Sequence, residues 1–207
     1  SQHYAFVVNA FVSLLKRADM TRYELFLRET RTYEIIEDVK NFRSEIGVLF
    51  LNGYNRDVLT KMFDDNRLTY TSLFKARPHI FVSKSNPLAK HKVVSLEDLE
   101  DFPYLSYDQG IHNSFYYSEE ILSQIPHKKS IVVSDRATLF NLLIGLDGYT
   151  IATGILNSNL NGDNIVSIPL DIDDEIDIVY LKHEKATLSK MGEKFLDNLV
   201  KEVTFDN

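Results

Sequence analysis

Short apolar runs alternate along this chain with longer amphipathic stretches, and that alternation constrains the fold more than any other feature. A half-buried sheet would show a sustained two-residue period and a helical bundle a sustained 3.6-residue period; switching between the two reads as α/β. Residues 46–51 form an unbroken apolar run of the kind buried on both faces of a parallel sheet. Further strands are expected over residues 23–28, 68–75, 79–84, 104–107, 131–133, 149–152, 165–168 and 176–181. Between them, helices are expected from Ser1 (Val7, Ala10, Phe11, Leu14 and Leu15 on one face), after residues 30–32 (Ile35, Ile36, Val39) and from Asn55. Later helices are expected over residues 114–124, over 137–146 with Ser134 as cap, and over 187–203 with Leu188, Met191, Phe195, Leu199 and Val203 on one side. Ser95-Leu96-Glu97-Asp98 resembles a capping box with Asp in place of Glu. Pro78, between two strand-like runs, is a candidate hinge where the chain crosses between lobes, and the polar stretch 157–164 reads as a surface loop.

At 207 residues the chain has room for one large domain or two small ones. Its 44% hydrophobic and 26% charged residues exclude intrinsic disorder, and no apolar stretch approaches the roughly 20 residues of a membrane span. A net charge of −7 lacks the basic footprint that neutralising nucleic-acid phosphates requires. The absence of cysteine removes disulfides, thiol catalysis and thiolate metal sites. Because the sequence starts at Ser1 with no leader-like pattern, either a longer protein was cut or a leader was already removed.

The search for chemistry returns little. His3, His79, His91, His112, His127 and His183 never pair at one-turn spacing or with suitable carboxylates, so no metal is expected. The glycines are scattered and no nucleophile elbow occurs, so neither a cofactor nor an enzyme activity is expected. Asp171, Asp173, Asp174, Glu175 and Asp177 make an acidic patch that reads as a solvated turn rather than a cation site. Three helix starts stand out: Ser1-Gln2, Thr30-Arg31-Thr32 and Ser134-Asp135-Arg136. Helix N-termini carry about half a positive charge, so several converging on one crevice would seat a small anion. Equally, each hydroxyl can simply cap its own helix, and Arg31 and Arg136 can either bind a ligand or sit in surface ion pairs.

At Asn86-Pro87-Leu88-Ala89, Val94-Ser95-Leu96-Glu97-Asp98-Leu99 and Phe102-Pro103-Tyr104-Leu105, the chain resembles the effector-binding domain of LysR-type transcriptional regulators. Arg43-Ser44-Glu45-Ile46-Gly47-Val48-Leu49 is similar to that family's Gly-x-Leu-Asp-x-Ala-Ile strand entry, and residues 142–154 to its helix, Gly-x-Gly turn and strand. Asn86 stands where His is usual, Ser44-Glu45 where Leu-Asp is usual, and Leu146-Asp147 interrupts the glycine pattern, which together suggest a divergent subgroup.

The resemblance implies a two-lobed, periplasmic-binding-protein-like (type 2) α/β fold, each lobe a central mixed sheet flanked by helices. Lobe I would comprise residues 1–77 plus 173–207 and lobe II residues 78–172, with an effector between them. It implies a cytoplasmic protein with no membrane partner, whose winged helix-turn-helix and linker helix lie outside this chain, so that DNA is bound only through that part. Ligand contacts carried over by position fall on Ser1, Gln2, Thr30, Thr32, Tyr107, Asp108 and Gln109, with Arg136 and Thr153 added. Asp108 disfavours an anionic effector unless a cationic group accompanies it; an amino acid, a sulfur metabolite or an organic acid is the implied class. A homodimer through these domains is implied, with higher homo-oligomers at full length. Two rivals share the architecture: a solute-binding receptor of a transport system, and a two-lobed dehydratase or deaminase with shifted acid/base groups in its cleft.

Overall fold

The computed structural model describes residues 1–17, 21–156 and 162–204, the side chains of 202–204 excepted. Its strands fall into two sheets. The first has three strands in the order β1-β8-β2: β1 (Gly47–Leu51), β2 (Leu68–Ala76) and β8 (Ile176–His183). The second has five, in the order β5-β4-β6-β3-β7: β3 (His79–Ser83), β4 (Tyr104–Tyr107), β5 (Ser130–Val133), β6 (Tyr149–Ala152) and β7 (Ile165–Pro169). This second sheet is mixed, β4 running parallel to β5 and β6 while β3 runs antiparallel to β6 and β7.

The apolar run of β1 is buried at every position, as its lack of alternation predicts, but its partner is antiparallel: Val48 faces Tyr180 and Phe50 faces Ile178. Double burial arises because helices cover both faces. Val48 and Phe50 join Phe6, Val7 and Ala10 of α1 (Ala5–Arg17) in one core cluster. Leu49 and Leu51 join Ile35, Ile36 and Val39 of α2 (Thr32–Lys40) and Leu59 and Phe63 of α3 (Arg56–Asp65) in another. The first cluster continues through Ile80, Val82, Tyr149 and Ile151 into the five-stranded half. A third gathers Phe81, Leu105 and Val133 under Leu139 and Leu143 of α4 (Arg136–Leu146). The last helix, α5 (Lys190–Thr204), lies against α1, with the Phe11 and Phe195 rings edge to face at 6.3 Å. Of the expected apolar side of α5, Val203 has its side chain outside the described residues.

Several elements differ from the sequence reading. Residues 23–28 form no strand, because a strand needs a ladder, and here the Arg28 carbonyl accepts from the Ser1 ammonium at 2.7 Å while the Arg28 guanidinium pairs with Asp38. Ser1 caps no helix either; Gln2 is held extended by its N–H bond to the Val48 carbonyl (3.0 Å), so α1 waits until Ala5. Asn55 begins α3 without capping it, since its Oδ1 accepts from the Asn52 N–H instead. Asp135, not Ser134, caps α4, its Oδ1 accepting the Thr138 N–H at 2.8 Å. Residues 114–124 form only a single 3-10 turn, Phe115–Tyr117. The reciprocal Ser95–Asp98 bonds of a capping box are present, yet they open only one 3-10 turn, Glu97–Leu99. Of the expected loop 157–164, residues 157–161 lie outside the described residues.

The chain passes from the first sheet to the second at Arg77 and Pro78 and returns after Leu170, and the two crossings are tied by a hydrogen bond from the Leu170 N–H to the Pro78 carbonyl (3.0 Å). The acidic patch lies on the return, and three of its members are paired: Asp174 accepts from Asn52 Nδ2, Glu175 pairs with Lys75, and Asp177 accepts from Arg56 and Ser72. No cluster of metal-ligating side chains occurs among the described residues.

Candidate functional site

The two halves meet face to face, and a chain of buried polar side chains bridges them. From the three-stranded half, Gln2 Nε2 donates to Thr32 Oγ1 at 2.6 Å, while Gln2 Oε1 accepts from the Phe50 N–H and from the Tyr4 hydroxyl. The Thr32 N–H, one of the unsatisfied donors at the start of α2, donates across the gap to Gln109 Oε1 at 3.2 Å. Gln109 Nε2 donates in turn to Glu119 Oε1 (3.0 Å), and Glu119 Oε2 takes the His3 N–H (2.9 Å) and lies 2.8 Å from His3 Nδ1, which returns the chain to the first half. The His3 ring stacks on Tyr107 at 4.1 Å. Around this bridge, Arg31 pairs with Asp108, Arg136 with Glu29 (3.1 Å), the Tyr33 ring stacks on His112, and Tyr54 stacks on Tyr116. The 107–121 segment therefore clasps the starts of α1, α2 and α3.

Behind the clasp lies a cavity of about 50 Å³ with walls from both halves. Phe6, Phe50 and Ile176 come from the first, Phe81, Leu139, Phe140 and Ile151 from the second. Polar groups reach it at His3, Tyr107, Glu119, Glu120, Arg136, Thr150 and Thr153. A second, polar hollow of about 300 Å³ opens on the other side of His3, edged by Thr30, Arg31 and Ser134. The helix starts do gather along one gap. Those of α1 and α4 share the cavity and that of α2 faces the hollow, with His3 lining both.

Glu120 is the unusual group. It is 3% exposed; Oε1 accepts the Tyr107 N–H at 2.9 Å, while Oε2 is buried with no hydrogen-bond partner. Burial, followed by the neighbouring Glu119 charge, pushes its carboxyl well above the ordinary glutamate value and favours the protonated form. Burial likewise pushes the Tyr4, Tyr104 and Tyr107 phenols up. Asp108, at the rim, moves the other way: the Gly110 N–H, then the Arg31 guanidinium, stabilise its charge. A shifted acid in the gap is one element of a dehydratase-like site, and beside it Glu119 has one oxygen bonded to Gln109 and the other to His3.

The expected ligand residues separate into three groups. Tyr107, Arg136 and Thr153 line the cavity. Gln2, Thr32, Gln109 and Asp108 are spent on the clasp. Ser1 and Thr30 edge an outer groove beside Phe11 and Phe195, Thr30 reaching the polar hollow as well. Sequence reasoning missed His3, Tyr4, Glu119 and Glu120. A pair of adjacent glutamates assigned to a helix reads as solvent-facing; the only hint was the aromatic and aliphatic residues on either side, Phe115-Tyr116-Tyr117 and Ile121-Leu122.

A family profile described as the LysR substrate binding domain matches residues 14–204. No curated protein matches significantly by sequence. Among solved structures, the fold is similar to HinK, a LysR family transcriptional regulator from Pseudomonas aeruginosa (15% identity, 97% of this chain and 66% of that one, TM-score 0.60). It is similar to the effector binding domain of QuiR in complex with shikimate (17% identity, 94% and 88%, TM-score 0.60). It also resembles the BenM effector binding domain with its effector benzoate (18% identity, 98% and 87%, TM-score 0.61). The chain thus spans 66% of the length of the longer regulator HinK. At these identities the likeness is one of fold, the two-lobed type 2 arrangement.

Proposed function

The chain belongs to the family of LysR substrate-binding domains, and from this we propose that it is the ligand-sensing regulatory part of a LysR-type transcriptional regulator. In this reading residues 1–77 with 173–207 form lobe I, residues 78–172 form lobe II, and a small-molecule effector sits in the cavity between them. The observation that carries it is the cavity itself, walled by both halves and reached by the starts of α1 and α4. Tyr107, Arg136 and Thr153 contact the effector directly, whereas Gln2, Thr32, Gln109 and Asp108 set how tightly the lobes close. Ser1 and Thr30 act at the outer edge of the gap.

The effector biases the angle between the lobes, and with it the spacing of paired winged helix-turn-helix heads on DNA. Those heads lie outside this chain, and the domains pair as homodimers in the cytoplasm. No helix among the described residues is long and apolar enough to cross a membrane. Nothing covalent is required of the site.

A thermal-shift screen of amines, amino acids, sulfur metabolites and organic acids tests the reading, since a ligand that binds only the native state raises its apparent stability. A hit should lose its shift in Ala152→Leu, which fills the cavity from β6. A shift that persists there places the ligand elsewhere. Light scattering of the isolated domain checks the dimer.

A further inference from the structure

Resting on the sensing role just proposed, the chemistry of the cavity wall narrows the class of effector. Most of the wall is aromatic and aliphatic: Phe6, Phe50, Phe81, Leu139, Phe140 and Ile151. Several of its polar groups are engaged. Glu119 is held by Gln109 and His3, and Arg136, the cation in the wall, faces Glu29 with Nε at 3.1 Å and Nη2 at 3.4 Å. Thr153 Oγ1 lies 3.5 Å from the Ile155 N–H. Glu120 differs, because its Oε2 is buried at the cavity without a partner. A buried acceptor left unpaired is costly, so an occupant that supplies an N–H to it recovers that cost, whereas an anion there meets the neighbouring Glu119 charge.

We propose that the cavity takes an amine: a small apolar body in the aromatic wall, with a protonated amino head donating to Oε2 of Glu120 beside Glu119. An ammonium displaces to solvent the proton that burial favours on Glu120, and the ion pair so formed lies in a dry, narrow space, where a charge-assisted bond is strong and geometrically demanding. Arg136 is consistent with this choice, since Glu29 faces its guanidinium and that charge is not presented alone to a carboxylate.

The test is isothermal titration of the domain with two bodies small enough for a cavity of about 50 Å³, methyl and ethyl, each as the ammonium, the alcohol and the carboxylate. The ammonium form should bind tightest in each series. Glu120→Gln should weaken it by roughly 10- to 100-fold, the usual worth of a hydrogen bond to a charged group, with little change for the alcohol. Ala152→Leu should abolish binding of all forms. If carboxylates bind best, are blocked by Ala152→Leu and are indifferent to Glu120→Gln, the amine assignment falls while the sensing cavity stands. If no probe binds, or Ala152→Leu binds as well as the unaltered domain, the cavity assignment falls and the amine with it.

Discussion

Glu120 holds an acid where an amide would cost less, and the pH dependence of folding should show it. Its carboxyl binds a proton more tightly folded than unfolded, so stability declines as pH rises from the ordinary glutamate value, near 4.5, toward the raised folded value. Glu120→Gln removes that loss and keeps an acceptor for the Tyr107 N–H. Urea denaturation across about pH 5 to about pH 8 should find the variant flatter than the parent and more stable at the upper end. Equal slopes for the two proteins would show that Glu120 is not the group responsible. Asp147 is a second residue whose identity the backbone penalises. At the C-cap of α4 it takes φ 52°, ψ 33°, the left-handed region that glycine prefers, and its carbonyl accepts from Asn86 Nδ2 at 2.8 Å. Two departures from the family pattern, Asn86 and Asp147, are therefore one contact. Asp147→Gly keeps that carbonyl and should gain about 0.5–1 kcal/mol in chemical denaturation.

At the scale of elements, helix pattern was legible wherever an apolar face met a core and misleading where it did not. Residues 114–124 offer hydroxyl, aromatic and acidic residues in an order that suits a capped helix, yet Phe115–Tyr117 is a single turn. The reason is tertiary: Glu119 and Glu120 are drawn inward by His3, Gln109 and the Tyr107 N–H, directions that one helical face could not serve. In contrast, α2 and β1 follow from their sequences, and Gly47 sets how closely they pack. A Cβ at Gly47 would stand 2.7 Å from Ile35 Cγ2 and 3.0 Å from Val39 Cγ2. Gly47→Ala should therefore push α2 off the sheet and destabilise the domain by about 1–3 kcal/mol, read as a lower urea midpoint. It should also disturb ligand binding, because the Thr32 N–H at the start of α2 would shift against Gln109.

At the scale of the whole molecule, closure depends on a few cross-lobe contacts of unequal worth. The Arg31–Asp108 pair has both side chains about 40% exposed, so it contributes within about 0–1 kcal/mol. Gln109 is buried, and losing it leaves the Thr32 N–H and Glu119 Oε1 without that partner, at about 1–3 kcal/mol. The double variant Arg31→Ala with Gln109→Ala should loosen the clasp while both sheets stay folded. Small-angle scattering should then give a larger radius of gyration than the parent, with unchanged far-UV circular dichroism. An identical radius would mean that the continuous core through Phe50, Ile80 and Ile178 keeps the halves together unaided.

The sequence alone determined the α/β class, the position of most strands, the crossing at Pro78 and the family resemblance, because these rest on local periodicity and short contiguous phrases. It could not determine strand direction in the first sheet, since β1 is covered by α1 on one side and by α2 and α3 on the other, and such burial looks the same for parallel and antiparallel neighbours. Nor could it place the site: His3 and Glu119 are separated by 116 residues and only the docking of the two halves makes them partners. The same docking ties Gln2, Thr32 and Gln109 together by hydrogen bonds and sets Glu120 in the cavity wall, because which polar groups meet is decided by the fold as a whole.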